Sequence, residues 1–333
     1  MITGGARAIV ARAVGALALS SASAVALAGE PLAWLQRMNA AVDGLNYSGT
    51  FVHLSGSESR TMQVVHRAAT GERPVAERLL SLDGPEREVL RKGKVTRCTM
   101  PAERAVVVDA GGESPLRAAL PDYEGGIEAH YDISFLGEER VAGRRTRRVA
   151  VQPRDRFRFG YQFWLDTATA MPLKTMTLGE GQRVVELMHF TDITFPDAIE
   201  DQSLAPTIAS DHYATHYPSP TADHELGTQT AWTASRLPAG FRLSIATKEL
   251  QAGEAEAEHL VYSDGLASVS VFIERGHGAP SRTRFAELGA ASAFSRRVGA
   301  YQVVVIGEVP ADTVTMIGRS IHLTSPDGAA ANR

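Results

Sequence analysis

Apolar residues at Leu32, Leu35, Met38, Val42 and Leu45 recur every three or four positions, which places them on one stripe of a helix near the start of the chain. Such a stripe needs a second layer to cover. From Tyr47 to Phe195 the pattern changes to short runs in which apolar and polar residues alternate, divided by Gly, Pro and Asp signals. These runs predict strands at 46–54, 60–68, 75–82, 86–91, 94–99, 104–109, 131–141, 145–151, 161–166, 172–178 and 184–193. Strands joined by a few residues pair antiparallel, because a parallel return needs a crossover of a dozen or more. About ten strands in one sheet twist and curl, and the concave face must be filled. The first helix and a second predicted at 114–120 are the available fillers, and a gap between sheet and helices would be an apolar cavity.

Between 197 and 231 the pattern dissolves into Asp, Ser, Pro, Thr and His, including Tyr217-Pro218-Ser219-Pro220, and predicts an interdomain linker. Order resumes at Trp232. Residues 259–262, then Ser263-Asp264-Gly265, then 266–273 form a hairpin signal, since Asp-Gly supplies the positive φ angles of a tight turn. A further strand at 301–306 and a closing helix at 311–321, with Val314, Ile317 and Ile321 on one face, complete a smaller unit. The fold class is α+β: a large curled antiparallel sheet covered by helices, followed by a smaller α+β domain. The expected divisions are 1–28, 29–196, a linker over 197–231, 232–323 and a tail over 324–333.

The residues before 29 are read differently. Arg7 and Arg12 precede an uncharged run from Ala13 to Ala28 that ends Ala26-Leu27-Ala28, the layout of an export leader with small residues where the peptidase cuts. Cleavage after Ala28 is expected, and with it work outside the cytoplasm. Cys98 is the only cysteine, so the fold is held by its core and not by an internal disulfide. The formal charge of −4 gives no hint of nucleic-acid binding.

Several motifs are specific enough to carry a resemblance. In the larger domain they are Asp83-Gly84-Pro85-Glu86-Arg87-Glu88-Val89, Tyr131-Asp132-Ile133-Ser134-Phe135-Leu136-Gly137, Arg140-Val141-Ala142-Gly143-Arg144, and Phe163-Trp164-Leu165-Asp166-Thr167 followed by Met171-Pro172-Leu173-Lys174. In the smaller domain they are Leu237-Pro238-Ala239-Gly240-Phe241, Tyr262-Ser263-Asp264-Gly265-Leu266 and Ile306-Gly307-Glu308-Val309-Pro310. In this order the chain resembles the RseB/MucB family, periplasmic regulators of the sigma-E stress response. The resemblance implies a first domain similar to the lipoprotein carriers LolA and LolB, an unclosed β-barrel. It also implies binding to the periplasmic region of an RseA/MucA-like anti-sigma factor, which is thereby shielded from regulated proteolysis until a lipid or mislocalised envelope component releases it.

Physical chemistry allows such a fold to sense lipid. Burying a methylene is worth about 0.8 kcal/mol, so an acyl chain of about a dozen carbons supplies on the order of 10 kcal/mol before ordering costs. Residues expected to line the cavity are Phe51, Met62, Val64, Leu79, Val107, Phe163, Leu165, Met176 and Leu187, against the alternative that they fill a closed core. Phe241, Tyr262, Leu266 and Val269 are the candidate anchors for a partner peptide. Arg140, Arg144, Arg145, Arg147 and Arg148 form either a fork for lipid phosphates and acidic peptide or a solvated edge that discourages strand pairing. His212, His216 and His224 fall in the linker and predict no metal centre, because a flexible segment must be ordered before it holds tetrahedral geometry. No nucleophile elbow, P-loop or His-Glu-x-x-His is present, so no catalysis and no cofactor are expected. The competing function is a lipoprotein or lipid carrier of the LolA/LolB type, which has no obvious need of a second domain.

Overall fold

The alternation of the first half builds one sheet with two free ends. The computed structural model describes residues 22–110, 126–217, 230–250, 256–276 and 283–324. Twelve strands form the first sheet: β1 (Tyr47–Ser55), β2 (Glu58–Arg67), β3 (Ala76–Ser81), β4 (Glu88–Lys92), β5 (Val95–Met100), β6 (Ala105–Ala110), β7 (Tyr131–Val141), β8 (Arg144–Pro153), β9 (Gly160–Asp166), β10 (Pro172–Leu178), β11 (Val184–Thr194) and β12 (Ala214–His216). Their order is β12-β6-β5-β4-β3-β2-β1-β11-β10-β9-β8-β7, so the sheet is an unclosed one. Each predicted strand is present as one of β1 to β11. The chain walks outward from β1 to β6, crosses to the far edge, and walks back from β7 to β11 beside β1. All neighbours are antiparallel except β12, which lies parallel to β6.

Register separates the two faces. Gly49, Val64, Leu79, Val89, Cys98 and Val107 form one cross-strand row. The first helix, α1 (Ala22–Gly44), covers this face toward β7–β9, where Trp34, Leu35 and Met38 pack with Val149, Val151, Phe163 and Leu165. Val42 continues the contact into a second cluster with Tyr47, Phe51, Val64 and Phe190. Full burial of side chains this size is worth roughly 1.5–3 kcal/mol each, which explains why the helical stripe docks here. The helix expected at 114–120 lies outside the described residues.

The opposite face of β2–β6 is crossed by the chain between the domains. This differs from the expected loose linker, and the reason is a set of polar anchors. Glu88, 0% exposed, accepts from the Thr207 amide at 3.0 Å, the Thr207 hydroxyl at 2.7 Å and the Ile208 amide at 3.3 Å. Asn46 donates to the Asp197 carbonyl, Arg97 to the Ser210 hydroxyl, and Arg67 pairs with Asp201. Residues 197–217 are thus a strap bound to the first domain, ending in β12 at the sheet edge.

The second domain is a sheet of six strands, in the order β14-β15-β16-β19-β18-β17, beside a short ladder of β13 (Trp232–Ala234) with β20 (Ile321–Leu323). The six are β14 (Arg242–Leu250), β15 (Glu256–Ser263), β16 (Ser268–Arg275), β17 (Arg284–Leu288), β18 (Ala291–Val298) and β19 (Tyr301–Gly307). Helix α2 (Ala311–Ser320) packs on β18 and β19 through Val314 and Ile317, both 0% exposed. The predicted hairpin is β15–β16, with Gly265 at φ +95° in its turn.

Candidate functional site

The hairpin turn of the second domain carries the most heavily bonded carboxylate of the molecule's domain junction. Asp264 sits where β15 ends, and its Oδ1 accepts from the amides of Leu266 and Ala267 at 2.9 and 2.7 Å. Its Oδ2 points into the first domain, where Arg158 Nη1 reaches it at 2.6 Å and the Tyr131 hydroxyl donates at 3.0 Å. Both side chains of the Arg158–Asp264 pair are fully buried. Two unpaired charges could not stay there; three further donors of Arg158 are met by Asp155, with bonds of 3.0 Å from Nε and Nη2, and by the Ala239 carbonyl at 2.6 Å. Burial, together with the nearby Tyr161 and Asp264, pushes the Tyr131 hydroxyl far above its ordinary value, so it stays a donor.

Apolar and backbone contacts close around this pair. Leu266 and Ala290 of the second domain join the cluster of Trp34, Leu35, Ile127, Tyr131 and Phe159. Gly240 has φ +85° and lies so close to His130 that a Cβ would run into the imidazole, so a side chain there would part the domains. The Thr313 hydroxyl at the start of α2 donates to the Phe157 carbonyl at 2.5 Å. At the rim, Arg156 and Asp312 form an exposed pair at 3.2 Å.

A second electrostatic contact crosses the junction at Glu308. Desolvation of its carboxyl and the facing Glu186 of β11 raise its pKa to about 7, while His53 opposes the rise. Glu308 is exposed as a residue, so solvent screens part of this effect. His53 Nε2 lies 2.8 Å from Glu186 Oε1.

The residues singled out from sequence fall into distinct places. Phe51, Met62, Val64, Leu79, Val107, Phe163 and Leu165 share the face that α1 covers, whereas Met176 and Leu187 pair with each other on the opposite face. The expected hollow is filled toward β7–β9, because Trp34, Leu35 and Met38 are large enough to occupy it and leave Phe163 and Leu165 at 1% and 0% exposure. Toward the β6 edge the same face is more open, with Cys98 and Val107 half-buried.

Phe241, Tyr262 and Val269 are buried in the core of the second domain, and Leu266 is buried in the junction. These four therefore hold the protein together and do not offer side chains to a peptide. Apolar surface lies instead on the sheet face away from α2, where Ile245, Val261, Ser270, Ile306 and Ala293 form a cross-strand row with Ile245 and Ile306 each 39% exposed.

The arginine run is drawn into pairs. Arg144 binds Asp166 through two bonds, Arg145 and Arg147 meet Glu138, Arg148 meets Glu139, and Arg140 donates to the Gly143 carbonyl. Arg147 also lies over the Trp34 and Phe135 rings, and Arg148 over Trp164. A fork open to ligand phosphates is not assembled, since β7 supplies carboxylates on both faces opposite β8. Of the three linker histidines, His224 lies outside the described residues, and no three His, Cys, Asp or Glu side chains converge among those described.

Comparison with known proteins gives a consistent assignment for both domains. Residues 30–208 match the model of the MucB/RseB N-terminal domain and residues 227–322 that of the MucB/RseB C-terminal domain. The sigma factor AlgU regulatory protein MucB of Pseudomonas aeruginosa is 33% identical over 302 residues, spanning 89% of this chain and 91% of that protein. The solved Pseudomonas aeruginosa MucA/MucB complex aligns at 29% identity with a TM-score of 0.69, covering 89% of this chain and 99% of that one. A crystal structure of MucB covers the same 89% at 28% identity and a TM-score of 0.61. With both of its domains matched in order, this chain belongs to the MucB/RseB family.

Proposed function

We propose that this protein is a periplasmic negative regulator of sigma-E-type signalling, which binds the periplasmic region of an RseA/MucA-like anti-sigma factor and shields it from regulated proteolysis. The observation that carries the reading is the agreement, over 89% of the chain and through both domains, with MucB as it stands in its complex with MucA. The named relative is a regulatory protein, in keeping with the lack of a catalytic motif in this sequence.

The buried junction joins the two domains through the Arg158–Asp264 pair and the apolar contacts of Leu266 and Ala290. The row containing Ile245 and Ile306 is the part of the surface where a partner strand or helix would find apolar contact without any core residue having to leave its place. A lipid or mislocalised envelope component would release the partner only by binding one arrangement of the domains better than the other. The half-buried end of the α1 face, beside Cys98 and Val107, is where such a ligand would enter.

The test is a titration of the purified protein with the periplasmic region of its anti-sigma factor. Saturable binding at micromolar concentration or tighter is expected. Failure of that region to bind at micromolar concentration removes the reading.

A further inference from the structure

A cleft of about 480 Å³ opens on the outer face of β2–β5, on the side away from α1 and beneath the strap. Register brings its cations there: Arg67, Ala76, Lys92 and Val95 form one cross-strand row, and Leu90 pairs with Arg97 in the next. The strap contributes Asp201 and Leu204. Four cationic residues, Arg67, Arg91, Lys92 and Arg97, thus line with one carboxylate a concave space much larger than that carboxylate fills.

The bonding is incomplete in the same direction. Arg67 is paired with Asp201 through Nη1, but its Nε is buried and has no hydrogen-bond partner among the described residues. Among the described residues, Arg97 is held by a neutral oxygen of the strap, Ser210 Oγ at 2.6 Å. Asp201 itself is drawn below the usual carboxylate range by its bond to Arg67, with Arg73 and Lys92 adding to the effect. Most of its side chain faces water, at 73% exposure, so a competing anion can reach the same cations. A solvated basic face would account for scattered arginines, but not for a buried donor left open beside a cleft.

We propose that this cleft is a binding site for an oxyanion of the phosphate class, in which Asp201 is the resident counter-charge that the ligand displaces. A tetrahedral oxyanion offers enough acceptors to engage Arg67, Lys92 and Arg97 together. Leu90, Val95 and Leu204 provide an apolar wall for whatever the phosphate is attached to. Binding takes two anchors from the strap, the Asp201 carboxylate and the Arg97 bond to Ser210, and so loosens the segment that leads to the second domain.

The site stands independently of the anti-sigma reading, because its test contains no partner peptide. Inorganic phosphate is titrated calorimetrically into the full protein, followed by monomeric dihexanoyl phosphatidic acid, with dihexanoyl phosphatidylcholine as the control for the tails. Saturable phosphate binding is expected, weakened about tenfold in Lys92→Gln and in Arg97→Gln and strengthened severalfold in Asp201→Asn. Arg67→Gln is avoided as the deciding variant because that side chain is largely buried. Hydrogen exchange at the amides of Ser203 and Ala205, which close the turn after Asp201, should quicken at saturating phosphate.

Equal affinity for phosphate and phosphatidic acid identifies a free anion as the ligand, and tighter binding of phosphatidic acid identifies a headgroup; either supports the site. Phosphate binding that does not saturate, that ignores both Lys92→Gln and Arg97→Gln, that is no tighter in Asp201→Asn, or that leaves the Ser203 and Ala205 amides unchanged, overturns the proposal.

Discussion

Asp264→Asn isolates the ionic part of the junction. The carboxamide oxygen can still accept from the Leu266 and Ala267 amides, so the hairpin turn keeps its bonds. The amide nitrogen then faces Arg158 Nη1 and the Tyr131 hydroxyl, two donors that both needed an acceptor. Breaking one side of a buried pair costs about 3–5 kcal/mol, because the surviving charge is left without compensation. Here Asp155 and the Ala239 carbonyl still hold Arg158, which puts the cost at the lower end, about 3 kcal/mol. A loss of that size falls on docking, since the core of the second domain and the β1-side cluster of the first share no residue, and the apolar contact between the domains runs through Leu266 and Ala290. Urea unfolding followed by tryptophan fluorescence reports both domains, through Trp34 and Trp164 in the first and Trp232 in the second. The wild type should unfold in one transition and Asp264→Asn in two. Arg156→Ala, which removes the exposed rim pair, should cost no more than about 1 kcal/mol and keep one transition. A single transition in Asp264→Asn with stability within about 1 kcal/mol of the wild type would refute the reasoning.

Leu266→Ala, at a site 8% exposed between the domains, should cost about 2–5 kcal/mol and split the thermal unfolding profile in calorimetry. The raised pKa of Glu308 means that docking favours its protonated form. Docking is therefore strongest below the ordinary value of 4.5 and weakens as pH rises through about 7, and Glu308→Gln should flatten that dependence in urea titrations at about pH 5 and pH 8. Ile306→Asp should leave the unfolding curve within about 1 kcal/mol of the wild type, since the side chain is 39% exposed, yet weaken binding of the anti-sigma region at least about tenfold by calorimetry.

Much of the architecture was legible because it follows from local periodicity. The alternation that marks β1 to β11 also sets which face each residue takes, and the short connections alone dictate antiparallel pairing. The Asp264-Gly265 pair marks a turn, but the second role of Asp264 leaves no local sign, because its partner Arg158 stands over a hundred residues earlier. Only the oddity of an arginine close to Phe157, Phe159 and Tyr161 could have hinted at burial. The strap is hidden for the opposite reason: its polar composition suggests solvent, whereas Glu88 is buried by bonding that polar chain. Phe241, Tyr262 and Val269 look like anchors for a partner because aromatic and branched residues serve cores and interfaces alike, and composition cannot separate the two. The face assigned to Met176 and Leu187 depended on the register of β9, β10 and β11, and a bulge in such strands shifts side chains without leaving a sequence mark.

The central claim is that this protein guards an anti-sigma factor. The rate at which the stress protease cleaves the periplasmic region of that factor, measured with the two proteins alone and then with this protein added in excess, puts it to the test. Cleavage should slow with the wild type and remain fast with Ile306→Asp. Equal cleavage rates with and without the wild-type protein would contradict the account.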